Sequence, residues 1–197
     1  MLGFNFKKSV QALNYFAIKE GGKINKMKAL KLIWLSDRLH LRRYGRPILN
    51  DTYFALTYGP IASNTKDLVE ATDFLSDQEQ SYRATFISTH SQYYYESINN
   101  YDEKVFSKTD REIMEIVYQS FGKLNLFQLS EESHKYPEWK KFENSLQSGN
   151  SSRFAMSYKD FFSNYKENEH KIFRDSQESL EISKNIFLEN ENIYKSV

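Results

Sequence analysis

The chain has no cysteine, and no apolar run approaches the ~20 residues that a membrane-spanning helix needs. The absence of thiols excludes disulfides, cysteine metal ligands and cysteine nucleophiles. Residues 1–10 lack an apolar core segment and a small-residue cleavage site, so no secretory signal is predicted. We therefore expect a protein of the cytoplasm, and the lack of cysteine fits that reducing compartment.

Hydrophobic residues are plentiful, at 40% of the 197 residues, and this length suggests one domain with some decoration. The 15 phenylalanines and 14 tyrosines predict an aromatic-rich core. A core of this size needs no disulfide or structural metal.

Charge is balanced overall but uneven along the chain. The net charge is +1, yet residues 1–46 hold eleven Lys or Arg and only two acids, Glu20 and Asp37. That segment carries about +9 and the remainder about −8. One interpretation is a basic surface for an acidic protein or a nucleic acid. The other is that the acidic remainder neutralises this segment after folding.

The spacing of apolar residues predicts two helices at the start of the chain. The first covers Phe4–Lys19 and ends at Gly21-Gly22. The second covers Ile24–Tyr44 and ends at Gly45. Its apolar residues spread nearly all the way round, which is typical of a helix at the centre of a domain.

The next segments favour short strands separated by helices. Residues 53–58 suit a strand that Gly59-Pro60 breaks, and Ser63 then caps a helix over Lys66–Leu75. Residues 82–98 are rich in β-prone side chains and predict one or two further strands.

The second half of the chain is predicted to be mostly helical. Ser107 and Asn125 each suit the N-cap of a helix, and Ser157 begins a helix that reaches Tyr165. Residues 168–194 are expected to form one helix on the body of the domain. The predicted fold class is α+β, predominantly α-helical, with about seven helices and one small β-sheet.

Few residues suggest catalysis. Asp37 and His40 have a helical spacing that could hold a metal, but an Asp near a helix end and a His packed on the core are the favoured explanation. Ser133 and His134 are adjacent, and adjacent helical side chains point apart. No glycine-rich phosphate loop and no His-Glu-x-x-His motif occurs. We therefore predict no enzyme activity, no cofactor and no metal site; a metal-assisted enzyme is the remaining alternative.

Three stretches together resemble one family, the SocA-like antitoxins that contain a Panacea domain. The resemblance covers about residues 4–165, and its segments follow one another in the family's order. These segments are Lys31–Ile48; Asp51–Tyr53, Ala55 and Tyr58–Ser63; and Leu129–His134 with Pro137 and Trp139. Trp34 stands where Tyr is more common, and Ser36 where Ala is more common. Residues 75–101 and those beyond 165 match no family pattern, so partner specificity is expected there.

This resemblance implies an antitoxin that binds and neutralises a cognate protein toxin encoded in the neighbouring gene, as part of a toxin–antitoxin system of the kind found on mobile genetic elements. It also implies that a Clp-type protease is a possible partner, because some relatives deliver the toxin to a protease. A nucleic-acid-binding regulator that uses the basic N-terminal third is the alternative function. The pI of about 7.8 is lower than that alternative favours.

Two sets of candidate site residues follow. We predict partner contact at an arginine cluster, because arginine is enriched in interface cores and binds carboxylates with two parallel bonds: Arg38, Arg42, Arg43 and Arg46. A second set carries the family motifs and is predicted to be scaffold: Trp34, Asp37, Tyr53, Tyr58, Gly59, Pro60, Ser63, His134 and Trp139. We expect residues 1–165 to form the Panacea-like domain and residues 166–197 a C-terminal helix that packs on it or extends from it.

Overall fold

A computed structural model describes residues 3–89, 91–149, 151–164 and 170–195. The described residues form nine α-helices and six short strands. The helices are α1 Phe6–Lys19, α2 Lys26–Tyr44, α3 Ser63–Glu70, α4 Asp77–Phe86, α5 Lys108–Phe121, α6 Leu126–Ser133, α7 Pro137–Lys140, α8 Glu143–Gln147 and α9 Gln177–Lys195. The strands are β1 Lys23–Asn25, β2 Tyr53–Leu56, β3 Gly59–Ala62, β4 Ile87–Ser88, β5 Tyr94–Ser97 and β6 Arg153–Ala155.

The predicted class, α+β and mainly helical, is confirmed, but the predicted counts are wrong. Instead of one sheet there are two three-stranded antiparallel sheets, ordered β1-β5-β4 and β3-β2-β6. The described helices number nine rather than about seven, because α4, α7 and α8 are short segments with little apolar periodicity of their own. None of the described helices is both long and apolar enough to cross a membrane.

Helix α2 lies at the centre of the domain, as its apolar composition predicts. It packs against α1, α3, α5, α6 and α9 and against β3. Trp34 at its midpoint has no exposed surface and meets Tyr136 edge to face, with ring centroids 5.4 Å apart. The helix ends at Gly45, whose φ of 65° is left-handed. Only a residue without a β-carbon takes that conformation at low cost.

The hairpin formed by β2 and β3 corrects the prediction that Gly59-Pro60 breaks the strand. Leu56 pairs with Gly59, so Thr57-Tyr58 is the connection and Pro60 lies within β3. Proline lacks an N–H but is tolerated here, because β3 is an edge strand of its sheet.

The segment over residues 82–98 is only partly β. Residues up to Phe86 belong to α4, and the strands β4 and β5 follow. Ser76 and Glu79 form a capping box that starts α4, and this local signal outweighs the β-propensity of the aromatic residues.

The predicted caps at Ser107 and Asn125 are confirmed, and each is part of a capping box. The helix predicted from Ser157 is instead a 3₁₀ helix, Tyr158–Phe162. Tyr165, Asn168 and the predicted domain boundary at residue 165 lie outside the described residues. Helix α9 packs on α2 and on this 3₁₀ helix, and Leu180, Ser183 and Phe187 on its inner face are at most 4% exposed.

The cap of α3 comes from Asp51, not from Ser63 as the sequence suggested. The buried Asp51 carboxylate accepts the backbone N–H groups of Asn64 at 2.9 Å and Thr65 at 2.8 Å. The Ser63 side chain makes no capping bond. A carboxylate supplied from a loop thus takes the place of the local hydroxyl, and it also favours the positive end of the helix dipole.

We predict that Asp51→Ala lowers the free energy of unfolding by about 2–3 kcal/mol, because it leaves buried N–H donors of α3 without acceptors. Ser63→Ala, the matched control at the first residue of α3, should change it by less than about 0.5 kcal/mol. Urea denaturation of both variants measures this difference. A larger loss for Ser63→Ala than for Asp51→Ala would restore the original assignment of the cap.

Candidate interaction site

The three motif segments converge on the β2–β3 hairpin. Helix α6 contacts it through Ser130, whose Oγ donates a hydrogen bond to the Tyr58 carbonyl at 2.8 Å. Trp139 Nε1 donates to the Leu56 carbonyl at 2.8 Å. His134 stacks on Trp139 with ring centroids 3.8 Å apart. The motifs therefore hold both sides of one turn in place.

Gly59 allows this close approach of α6 and α2 to the hairpin. Its φ of 100° suits glycine alone, and a β-carbon there would collide with Ser133 Oγ and Lys31 Nζ. Lys31 reaches the turn from α2, and its Nζ donates to the Pro60 carbonyl at 3.1 Å. Any larger residue at position 59 would therefore have to displace the Lys31 ammonium group and the Ser133 hydroxyl.

Lys31 is 1% exposed, and burial lowers the pKa of its ammonium to about 7. Burial also lowers the pKa of His134, and the nearby Lys31 adds to that shift. At the base of the hairpin, burial thus disfavours the protonated, positively charged form of both side chains. Lys31 was not selected from the sequence, although a lysine within a helix that is apolar all round is a detectable signal.

Two aromatic side chains are exposed where the hairpin turn meets α6. The Tyr58 side chain is 73% exposed at its tip, and Phe127 on α6 is 77% exposed. Phe127 lies one turn before Ser130 on α6, and Ser130 binds the Tyr58 carbonyl, so both exposed aromatic residues belong to the region where α6 meets the hairpin turn. We call Tyr58 and Phe127 the tip surface. The sequence placed Tyr58 among the scaffold residues and gave no signal for Phe127.

Most of the other predicted scaffold residues are buried. Asp37 accepts the backbone N–H groups of Ile48 at 2.8 Å and Leu49 at 3.1 Å and the Tyr53 hydroxyl at 2.9 Å. Burial nevertheless raises the pKa of Asp37 to about 7. Trp34 and Pro60 are buried as well, whereas Ser63 is only partly buried.

Asp37 and His40 do not form a shared site. The imidazole of His40 contacts the Arg46 carbonyl at 2.7 Å and Asp110 at 3.1 Å, whereas Asp37 binds the loop after α2. Among the residues that the structure describes, no group of three metal-ligating side chains occurs. The polar atoms of Asp37 and His40 serve structural hydrogen bonds.

The predicted arginine cluster divides into buried and exposed members. Arg38 and Arg42 have no exposed surface, which corrects their assignment to a partner surface. Arg38 Nε pairs with the buried Glu138 at 2.7 Å, and its guanidinium lies 4.3 Å from the Tyr136 ring centroid. A buried guanidinium needs such partners because its desolvation is costly.

Arg42 links the central helix α2 to the segment that follows α8. Its Nε pairs with Asp175 at 2.9 Å, and its terminal nitrogens donate to the carbonyls of Phe161 and Phe173, each at 3.0 Å. Arg43 is exposed, and Arg46 is partly exposed and pairs with Asp110 at 2.9 Å. Partner contact stays a prediction for Arg43 and Arg46.

The basic first third is largely neutralised within the molecule. Six of its eleven cations pair with acids that lie beyond residue 46, namely Lys8, Lys19, Lys23, Arg38, Arg42 and Arg46. Asp110 alone binds two of these cations, Lys8 and Arg46. Hydrogen bonds from His40 and Lys8 hold the pKa of its carboxyl well below its usual range. This internal pairing leaves little basic surface for nucleic acid.

Comparison with known proteins agrees with this arrangement. A family model described as "Antitoxin SocA-like, Panacea domain" matches residues 30–140, which is more than half of the chain. The matched span contains the hairpin, Lys31, Phe127 and Trp139. No curated protein and no solved structure matches the chain.

We predict that Arg38→Ala lowers the free energy of unfolding by about 3–5 kcal/mol, because Glu138 would remain buried and unpaired. The exposed Arg43→Ala should change it by less than about 0.5 kcal/mol. Chemical denaturation at low protein concentration compares them. Equal losses for both variants would contradict the division of the cluster.

We also predict that stability rises with pH above neutrality. Between about pH 7.5 and 9.5 the unfolded lysine keeps its proton while folded Lys31, with a pKa of about 7, has released it. The unfolded state then binds more protons, so the free energy of unfolding should rise by up to about 1.4 kcal/mol per pH unit. Urea titrations across this range should show a flatter profile for Lys31→Met, and the wild-type slope for the exposed control Lys7→Met. A wild-type slope in Lys31→Met would refute the assignment.

Proposed function

The chain belongs to the SocA-like Panacea antitoxin family, and we propose that it neutralises a cognate protein toxin by binding it directly through the tip surface. The family match carries the antitoxin role. The position of Tyr58 supports the choice of surface. We further propose that the toxin is the product of the neighbouring gene.

A scaffold role explains Gly59, Pro60 and Trp139 but not Tyr58. Those three residues are buried and fix the turn, whereas the Tyr58 side chain is 73% exposed and adds nothing to the core. Tyr58 nevertheless belongs to the motif that carries the family resemblance. An exposed aromatic residue held by a rigid, buried framework suits binding better than folding.

The chemistry of the tip surface also fits a protein partner. Tyrosine is enriched among the residues that dominate binding energy at protein interfaces. The hydrogen bonds from Ser130 and Trp139 fix the backbone on both sides of the turn at 2.8 Å, so little backbone freedom is lost on binding. Tyr58 and Phe127 thus form a pre-organised pair of apolar anchors.

Neutralisation by this route has two forms, which predict different toxin levels. Direct blocking leaves the amount of toxin unchanged and abolishes its activity. An adaptor that delivers the toxin to a Clp-type protease shortens the toxin's half-life. Immunoblotting after synthesis is stopped, in cells with and without the protease, separates the two forms.

The test is co-expression with the neighbouring reading frame, scored by growth and by co-purification. Wild-type chain should restore growth and co-purify with the toxin. Tyr58→Ala combined with Phe127→Ala should weaken binding at least tenfold, since truncating an interface anchor typically costs about 2 kcal/mol or more. The matched control is Phe74→Ala, which removes another exposed aromatic residue, 88% exposed, from a different surface.

Two results would contradict the proposal. If the wild-type chain neither restores growth nor binds the neighbouring product, direct neutralisation of that toxin is wrong. If the tip variant and Phe74→Ala neutralise equally well, the toxin binds elsewhere on the domain.

A further inference from the structure

A shallow groove of about 780 Å³ runs along α5, and none of the hairpin motif residues lines it. Helix α1 and the end of α2 form its other wall, and two apolar side chains from these helices are exposed in it, Ile18 at 37% and Tyr44 at 38%. Along α5 the lining runs from Lys108 to Gln119, which is about 16 Å at 1.5 Å per residue. The groove is long enough to hold two to three turns of a helix.

The charges in this groove are paired with one exception. Lys19 pairs with Glu115 at 2.6 Å, Arg111 with Glu103 at 2.5 Å, and Lys108 with Glu112 at 3.7 Å. Arg43 forms no ion pair with the residues that the structure describes; its Nη2 donates to the Ile172 carbonyl at 3.2 Å. The groove therefore carries one uncompensated positive charge beside an apolar strip.

Helix α9 has the complementary surface. Its inner face packs on α2, but Ile182 and Ile186 on its flank are 54% and 41% exposed. Glu189 lies on the same flank, at the i+3 position from Ile186 and the i+7 position from Ile182. No ion pair links Glu189 to another residue in the described ranges. This flank is a helical strip of two isoleucines followed by one unpaired carboxylate.

The two surfaces adjoin each other. A β-carbon built on Gly45 would lie 2.8 Å from Ile186 Cβ, so the α9 flank touches the end of α2. Tyr44, the residue before Gly45, lines the groove. The groove and the exposed flank of α9 thus form one continuous patch.

We propose that this patch joins two copies of the chain in a two-fold dimer, with the α9 flank of each protomer seated in the groove of its partner. A two-fold axis repeats every contact, so a patch with complementary halves closes on itself without further growth. Arg43 of one protomer then pairs with Glu189 of the other, twice per dimer. The repeat also doubles the contact area, which favours reaching the roughly 1,600 Å² of a specific interface.

This inference does not depend on the proposed function, because the tip surface lies outside the patch. Sedimentation velocity over a range of concentrations tests it on the full chain without a toxin. Wild type should sediment as a dimer at micromolar concentrations. Arg43→Glu and Glu189→Arg should each weaken dimerisation at least tenfold, and the combined variant, with the charges exchanged, should recover it to within threefold of wild type.

Ile182→Asp is a second test of the dimer, because it removes an apolar contact and leaves the pair of Arg43 and Glu189 intact. It should also weaken dimerisation at least tenfold, while the control Lys7→Glu, on the exposed start of α1, should have no effect. Unchanged melting temperatures at low concentration would show that the variants fold.

A wild-type monomer at all concentrations would overturn the proposal. So would dimers that persist in both single charge variants, or a double variant that fails to recover. A wild-type monomer whose toxin binding is lost in Arg43→Glu would instead assign the groove to the toxin.

Discussion

Complete burial of α2 is the constraint on which the structure depends. A helix surrounded by other elements must find internal partners for every polar side chain it carries, because an unpaired buried charge costs several kcal/mol. Lys31, Asp37, Arg38 and Arg42 all lie on this helix, and each is at most 1% exposed. Each binds a segment outside the helix, so the polar side chains of one helix position the hairpin, the loop after α2, α7 and the segment that leads to α9.

This arrangement separates the buried residues that position the hairpin from the exposed residues of the tip surface. Lys31 and Ser130 hold the hairpin turn through hydrogen bonds to the carbonyls of Pro60 and Tyr58, and the exposed tip surface does not contribute to the core. Changes at the tip surface leave these contacts intact, because Lys31 and Ser130 bind the hairpin backbone and not its exposed side chains. That property suits the proposed role of Tyr58 and Phe127 as exposed residues that bind a toxin.

The sequence predicted the helices with strong periodicity or a clear cap, as α1, α2, α5 and α6 show. It failed where tertiary contacts decide the outcome. Asp51 caps α3 from across a loop, and Pro60 is accepted in a strand because that strand lies at a sheet edge. The arginine cluster was misjudged for Arg38 and Arg42 because composition cannot tell a buried guanidinium with a distant Glu138 or Asp175 from an exposed one. Phe127 was missed because exposure of a single aromatic residue leaves no pattern in the sequence.

Direct binding of a toxin through the tip surface is the central claim. Hydrogen–deuterium exchange of the chain alone and in complex with the neighbouring gene product tests it most directly, because it locates the contact without any substitution. The account predicts slower exchange at residues 56–59 and in the first turn of α6, with little change on the far side of the domain. Protection confined to other surfaces, with residues 56–59 exchanging as in the free chain, would contradict it.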